Sequence, residues 1–136
     1  MDDAFQHRRV KAGFYILLTS YGDLYCDDFM LPTGNLRESR RGAQRANIVI
    51  VTKCPSNLSL DDQNAIKKQL NLSSDQSLFF TFIDYDDVVY SNEKTIKVAE
   101  VKSMNKILLA GIAKPESFFA HLKQGNDECL TFSDHH

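Results

Sequence analysis

Ile48-Val49-Ile50-Val51-Thr52-Lys53-Cys54-Pro55 decides the reading of the fold: four consecutive β-forming apolar residues run into a polar turn closed by proline. An apolar run of this length without polar alternation is the pattern of a strand buried on both faces, as in the parallel sheets of α/β proteins. Three more runs share it on either side: Phe14-Tyr15-Ile16-Leu17-Leu18, Leu78-Phe79-Phe80-Thr81-Phe82 and Ile107-Leu108-Leu109-Ala110. Four central strands are expected.

Helical patterns fill the intervals. Glu38 to Ala46 holds good helix formers apart from Gly42, which predicts a short helix. Ser59-Leu60-Asp61-Asp62 resembles a capping box with Asp in place of Glu or Gln. Ile66 and Leu70 follow at i, i+4 spacing, so a helix is expected over about 60–70. Pro115 suits a first helical turn, and Phe118, Phe119 and Leu122 share one face before Gly125 ends it. Strands alternating with helices predict an α/β fold with a mostly parallel sheet and flanking helices. Val88-Val89-Tyr90 and Ile96-Lys97-Val98, separated by Ser91 to Lys94, could pair as a small β-hairpin, so that residues 86–104 form an appendage on a single domain spanning 1–136.

Composition narrows the function classes. The 136 residues are 43% hydrophobic and 25% charged, the balance of a globular domain, and the net charge of −2 argues against a nucleic-acid binder. Cys26, Cys54 and Cys129 are odd in number and widely spaced, which suggests neither a disulfide framework nor a zinc knuckle and fits a reducing compartment. The sequons at Asn57 and Asn71 would matter only in a secreted protein. The longest apolar runs fall far short of the roughly 20 residues that span a bilayer.

Several stretches hold side chains suited to chemistry. Asp2 and Asp3 are hard oxygen donors of the kind Mg2+ accepts, and Gln6 and His7 beside them suit phosphate or sugar hydroxyls; the same residues also read as a solvated end. Leu31-Pro32-Thr33-Gly34-Asn35-Leu36-Arg37-Glu38 is a turn leading into the expected helix, with Arg37 and Glu38 at its start, where an anion is favoured. Arg37, Arg41 and Arg45 repeat at i, i+4 with Arg40 close by. This basic stripe suits lipid phosphate or an anionic membrane surface, or is a solubilising face. Lys53 lies at the carboxyl end of a strand, where open α/β sheets bind ligands. Asp134-His135-His136 offers a carboxylate-oriented imidazole, although two terminal histidines are also what a purification tag leaves.

Taken in order, Asp2-Asp3-Ala4-Phe5-Gln6-His7-Arg8, Leu31 to Glu38, Ile50 to Pro55, Ala110-Gly111-Ile112-Ala113-Lys114-Pro115 and Phe132-Ser133-Asp134-His135-His136 resemble the tetraacyldisaccharide 4'-kinase family of lipid A assembly. The resemblance covers nearly the whole chain. Two positions depart from the family pattern: Ala4 stands where Gly is usual, and Ser39 where Pro often follows. The resemblance implies a partial P-loop kinase domain of Rossmann-like type, with a Walker B region at 1–9, whose family moves the γ-phosphoryl of ATP to the 4'-hydroxyl of a lipid A disaccharide 1-phosphate precursor. That work takes place at the cytoplasmic face of the bacterial inner membrane, as a peripheral enzyme. Asp2 and Asp3 are then the Mg2+ carboxylates, and Asp3, Asp134 and His135 the catalytic set. Gln6, His7, Asn35, Arg37 and Glu38 fall on the substrate, and Lys53 beside ATP.

No GxxxxGK[ST] phosphate loop occurs in these residues, and the resemblance places that loop ahead of Asp2. A C-terminal portion that is inactive in isolation and self-associates through exposed apolar surface is therefore expected. Two other readings stay in view: a metal-dependent phosphoesterase using the Asp and His residues of both ends, and a non-catalytic α/β module binding anions through the arginines.

Overall fold

The computed structural model describes residues 5–7, 9 and 11–132, which fall into two compact units, Met1–Ile83 and Asp84–His136. The architecture is mixed α/β, with sheets that are mostly parallel and flanked by helices.

In the first unit, β1 (Ile16–Ser20), β2 (Ile48–Thr52) and β3 (Ser77–Phe80) form a parallel sheet in that order. Leu17 lies opposite Val49, and Val49 opposite Leu78, so these share one face with Val51 and Phe80. The helix α1 (Leu60–Leu70) is part of the same core and contributes Ile66 and Leu70; Val49 and Val51 are fully buried. Each such side chain taken from water stabilises by about 1.5–3 kcal/mol.

The expected boundaries of α1 are met, and its ends show why. Ser59 Oγ accepts from Asp62 N–H at 3.1 Å and its hydroxyl donates to the Asp62 carboxylate at 2.6 Å. Asp61 and Asp62 sit in the first turn, Lys67 and Lys68 in the last, complementing the helix dipole. Asn71 ends the helix in the left-handed region at φ 47°.

The opposite face of this sheet is apolar too, yet Ile16 (51% exposed), Leu18 (62%) and Phe79 (51%) are open. Burial on both faces, expected for the Phe14–Leu18 run, is thus corrected: β1 is an edge strand with one covered face. The helix expected over Glu38 to Ala46 is a 3-10 helix, Arg40–Arg45, with Gly42 and Ala43 buried inside it.

The second unit holds the hairpin strands β4 (Val88–Tyr90) and β5 (Thr95–Lys97), paired antiparallel across Ser91–Lys94. Val98, read from sequence as strand, instead opens the helix α2 (Val98–Ser103). Then come β6 (Ile107–Ala110), α3 (Glu116–Leu122) and β7 (Glu128–Thr131), a parallel pair with a helical crossover. The fourth expected strand, β6, therefore pairs with β7, whose Glu128-Cys129-Leu130-Thr131 was too polar to stand out, in a sheet of its own. Val98, Leu108 and Leu122 form the core, with Phe118, Phe119 and Cys129 against it.

Candidate functional site

Residues within 35–43 build one wall of a cavity of about 410 Å3 in the first unit. A closed loop leads into this wall. Asp28 accepts from Phe29 N–H at 2.7 Å and from Asn35 N–H, while Leu36 N–H and Leu31 N–H bond across it to Phe29 O and Leu36 O. Gly34 sits at the close approach, since an added Cβ would lie 2.7 Å from Phe29 N. Arg40 Nε donates to Asp28 O at 2.7 Å and ties the loop to the 3-10 helix.

Four of the sequence-selected side chains meet here: Gln6, Asn35, Arg37 and Glu38 all line the cavity, with Phe5, Leu17 and Tyr25 supplying apolar surface. Glu38 is held from behind by an ion pair with Arg45, whose Nη2 also donates to Phe5 O at 2.6 Å. The Arg45 guanidinium lies over the rings of Phe5, 4.7 Å from its centroid, and Tyr15, at 5.8 Å. Gly42 leaves room for this carboxylate: a Cβ there would come within 2.7 Å of Glu38 Oε1. Burial raises the Tyr25 phenol above its ordinary value, with the neighbouring Cys26 adding to the shift.

The 3-10 winding breaks the expected stripe. Arg37 lies ahead of the 3-10 helix, Arg41 and Arg45 do not stay aligned at three residues per turn, and Arg45 turns inward to pair with Glu38. Its role as an anchor was missed in sequence, where only its charge was visible; the aromatic partners lie 30 and 40 residues away. Lys53 is exposed just past β2, in the left-handed region at φ 58°, and does not line the cavity. A non-glycine residue so held at a strand end is strained backbone of the kind that clusters at ligand sites. His7 is exposed and also does not line it. Asp2, Asp3, Asp134 and His135 lie outside the described residues.

A guanidinium and a carboxylate beside two amides, over an apolar floor, can take a ligand that carries phosphate, hydroxyls and hydrocarbon together. Among the described residues no three His, Cys, Asp or Glu side chains are placed to share a metal ion. No described helix is long and apolar enough to cross a membrane.

The family model described as tetraacyldisaccharide-1-P 4'-kinase matches residues 1–136. The chain belongs to this family. Among curated relatives, the tetraacyldisaccharide 4'-kinase of Flavobacterium johnsoniae is 68% identical over the whole chain, and that of Flavobacterium psychrophilum 66%. The kinase of Bacteroides fragilis is 44% identical, again over the whole chain. The chain spans about 40% of the length of these relatives. No solved structure matches the chain.

Proposed function

We propose that the chain is part of a kinase that transfers the γ-phosphoryl group of ATP to the 4'-hydroxyl of the tetraacyldisaccharide 1-phosphate precursor of lipid A. The observation that carries this reading is the cavity that gathers Gln6, Asn35, Arg37 and Glu38 in a chain of this family. Arg37 pairs with a phosphate oxygen of the acceptor, while Glu38, Asn35 and Gln6 accept or donate to sugar hydroxyls and fix which one faces the donor. The Arg45 ion pair keeps Glu38 in one orientation.

His135, next to Asp134 in the chain, would take the proton of the 4'-hydroxyl as its oxygen bonds to the γ-phosphorus and the bond to the departing ADP oxygen breaks. Asp2 and Asp3 would hold Mg2+, which neutralises charge on the donor phosphates; two adjacent carboxylates are the donor set that ion prefers. Lys53, at the carboxyl end of the central strand, would meet ATP phosphates, and His7 would contact phosphate or sugar hydroxyls. These 136 residues hold no GxxxxGK[ST] sequence and are not expected to turn over alone. The setting is the cytoplasmic face of the inner membrane, with its anionic surface as a partner.

The test uses a protein of the relatives' full length, with labelled ATP and the disaccharide acceptor. Arg37→Ala should raise KM for the acceptor by about tenfold or more, the effect of losing one charge-assisted hydrogen bond, and leave KM for ATP unchanged. An unchanged acceptor KM would remove Arg37 and this cavity from the substrate site.

A further inference from the structure

The loop that precedes the cavity wall holds three exposed apolar side chains in a row, which with Leu36, Arg40 and Arg41 also line an open concavity beside it. Phe29, Met30 and Leu31 are 61%, 51% and 59% exposed, in sequence, on a segment whose backbone is closed on itself by the hydrogen bonds of Asp28, Leu31 and Leu36. Those bonds fix the backbone of the loop, which leaves three neighbouring apolar side chains in water, and exposed apolar surface of this kind favours burial against a partner.

Beside these side chains stand cations. Arg40 lies over the Phe29 ring, 5.0 Å from its centroid, and Arg40 and Arg41 are both exposed. The carboxylates of the same stretch face protein donors: Asp28 caps the loop, Glu38 pairs with Arg45, and Asp27 accepts from the Gln69 amide at 2.7 and 2.8 Å. The exposed surface here thus sets apolar side chains next to the cations of Arg40 and Arg41.

We propose that the 29–31 loop is a membrane-docking wedge, which inserts Phe29, Met30 and Leu31 among the acyl chains of an anionic bilayer while Arg40 and Arg41 pair with lipid headgroup phosphates. The pattern is that of interfacial anchors, where buried apolar area and electrostatic attraction add. It deepens the reading of the membrane as a partner. Because Leu36, Ser39 and Arg40 contribute both to this surface and to the cavity wall, docking would also bring the cavity mouth to the level of the headgroups, where a lipid acceptor presents its sugar.

The chain has no tryptophan, so Phe29→Trp introduces a single reporter, with Leu31→Trp as a second and the exposed Leu60→Trp as a control. Each is mixed with vesicles of phosphatidylglycerol and phosphatidylcholine, with and without brominated acyl chains, and without ATP or any disaccharide lipid. Emission from positions 29 and 31 should shift to the blue and be quenched by bromine; that from position 60 should not. Serine at all three wedge positions should cut flotation with the vesicles at least tenfold, and Arg40→Ala and Arg41→Ala about fivefold each. Equal quenching at position 60, unshifted emission at 29 and 31, or release by free inorganic phosphate would overturn the proposal. Loss of self-association in the triple-serine variant with vesicle binding intact would assign the loop to a second copy instead. Since no phosphoryl transfer is measured, failure here and failure of the kinase reading are separate results.

Discussion

The parallel sheets of residues 1–83 and 84–136 share one arrangement and differ in what closes it. In each, alternate side chains pack with the unit's own helix while the other face stays apolar and open, Ile16 and Leu18 in β1, Ile107 and Leu109 in β6. The first unit closes its core with hydrocarbon: two fully buried valines, and Ile66 and Leu70 from α1. The second has a smaller apolar core and adds a polar lock. Asp127 accepts from Lys106 Nζ, from Lys106 N–H at 3.2 Å and from Gln124 N–H at 2.9 Å, and Lys106 Nζ also reaches Met104 O at 3.3 Å. One carboxylate thus joins the end of α2, the start of β6 and the turn before β7. A short sheet that cannot bury enough apolar area gains its order from a directional network, and such a network responds to pH where hydrocarbon does not.

The largest effect should come from emptying each core in turn. Leu70→Ala removes the same atoms as Leu108→Ala at almost the same burial, 5% and 6% exposed. We expect about 3 kcal/mol for Leu70, in the larger core, and about 2 for Leu108, whose smaller surroundings collapse more readily. Hydrogen exchange resolved by segment is the measurement, because a single melting curve would blend the responses of the two units. Loss of protection over both units from either substitution would mean that they are one cooperative body, and the comparison would end there.

Acid should separate them next. The hydrogen bond from Lys106, ahead of that from Gln124, holds the Asp127 carboxyl below its ordinary value of about 3.9. A depressed folded-state value means stabilisation that is complete above the unfolded value and lost as pH falls through the folded one, so the lock opens below about pH 4. Asp75 of the first unit is lowered as well, by Ser73, but it lies in an exposed turn and joins no elements. Exchange protection over 106–131 should therefore fade before that over 48–80 as pH drops, and Asp127→Asn should flatten the dependence. Simultaneous loss in both, or an unchanged profile in Asp127→Asn, would show that the lock is not what distinguishes the second unit.

The sequence was legible where local chemistry is decisive. The Ile48–Val51 run, the Ser59 cap with Ile66 and Leu70, and the Pro115 start all name their elements, because each signal is contained within a few residues. It misled where a distant partner decides. Val98 has β-branched character but buries better as the first residue of α2. The Arg37–Arg45 spacing reads as an α-helical stripe only until Arg45 finds Phe5, Tyr15 and Glu38. Of the candidate site, the cavity joins Gln6, Asn35, Arg37 and Glu38, residues from two distant stretches, while Lys53 stands apart at the end of β2. Neither fact is encoded in periodicity; both follow from which strand ends and loops the parallel pairing brings together.

The smallest effect probes the helix on which the first unit's hydrocarbon core depends. Ser59 and Asp62 satisfy each other and the first turn of α1 through two hydrogen bonds, of 2.6 and 3.1 Å, and both residues are exposed. Ser59→Ala should cost about 1 kcal/mol, the usual loss when a capping hydroxyl is removed, and Ser59→Asp should recover part of it only weakly. The reason is Asp62: a second carboxylate at the cap would face the first, so the dipole's gain is offset by like-charge repulsion. Urea unfolding followed by helix ellipticity, with exchange over 60–70 as the local readout, separates the two. If Ser59→Asp matched or exceeded the natural residue, the hydroxyl's bond to the Asp62 carboxylate would add nothing to the cap on the Asp62 N–H.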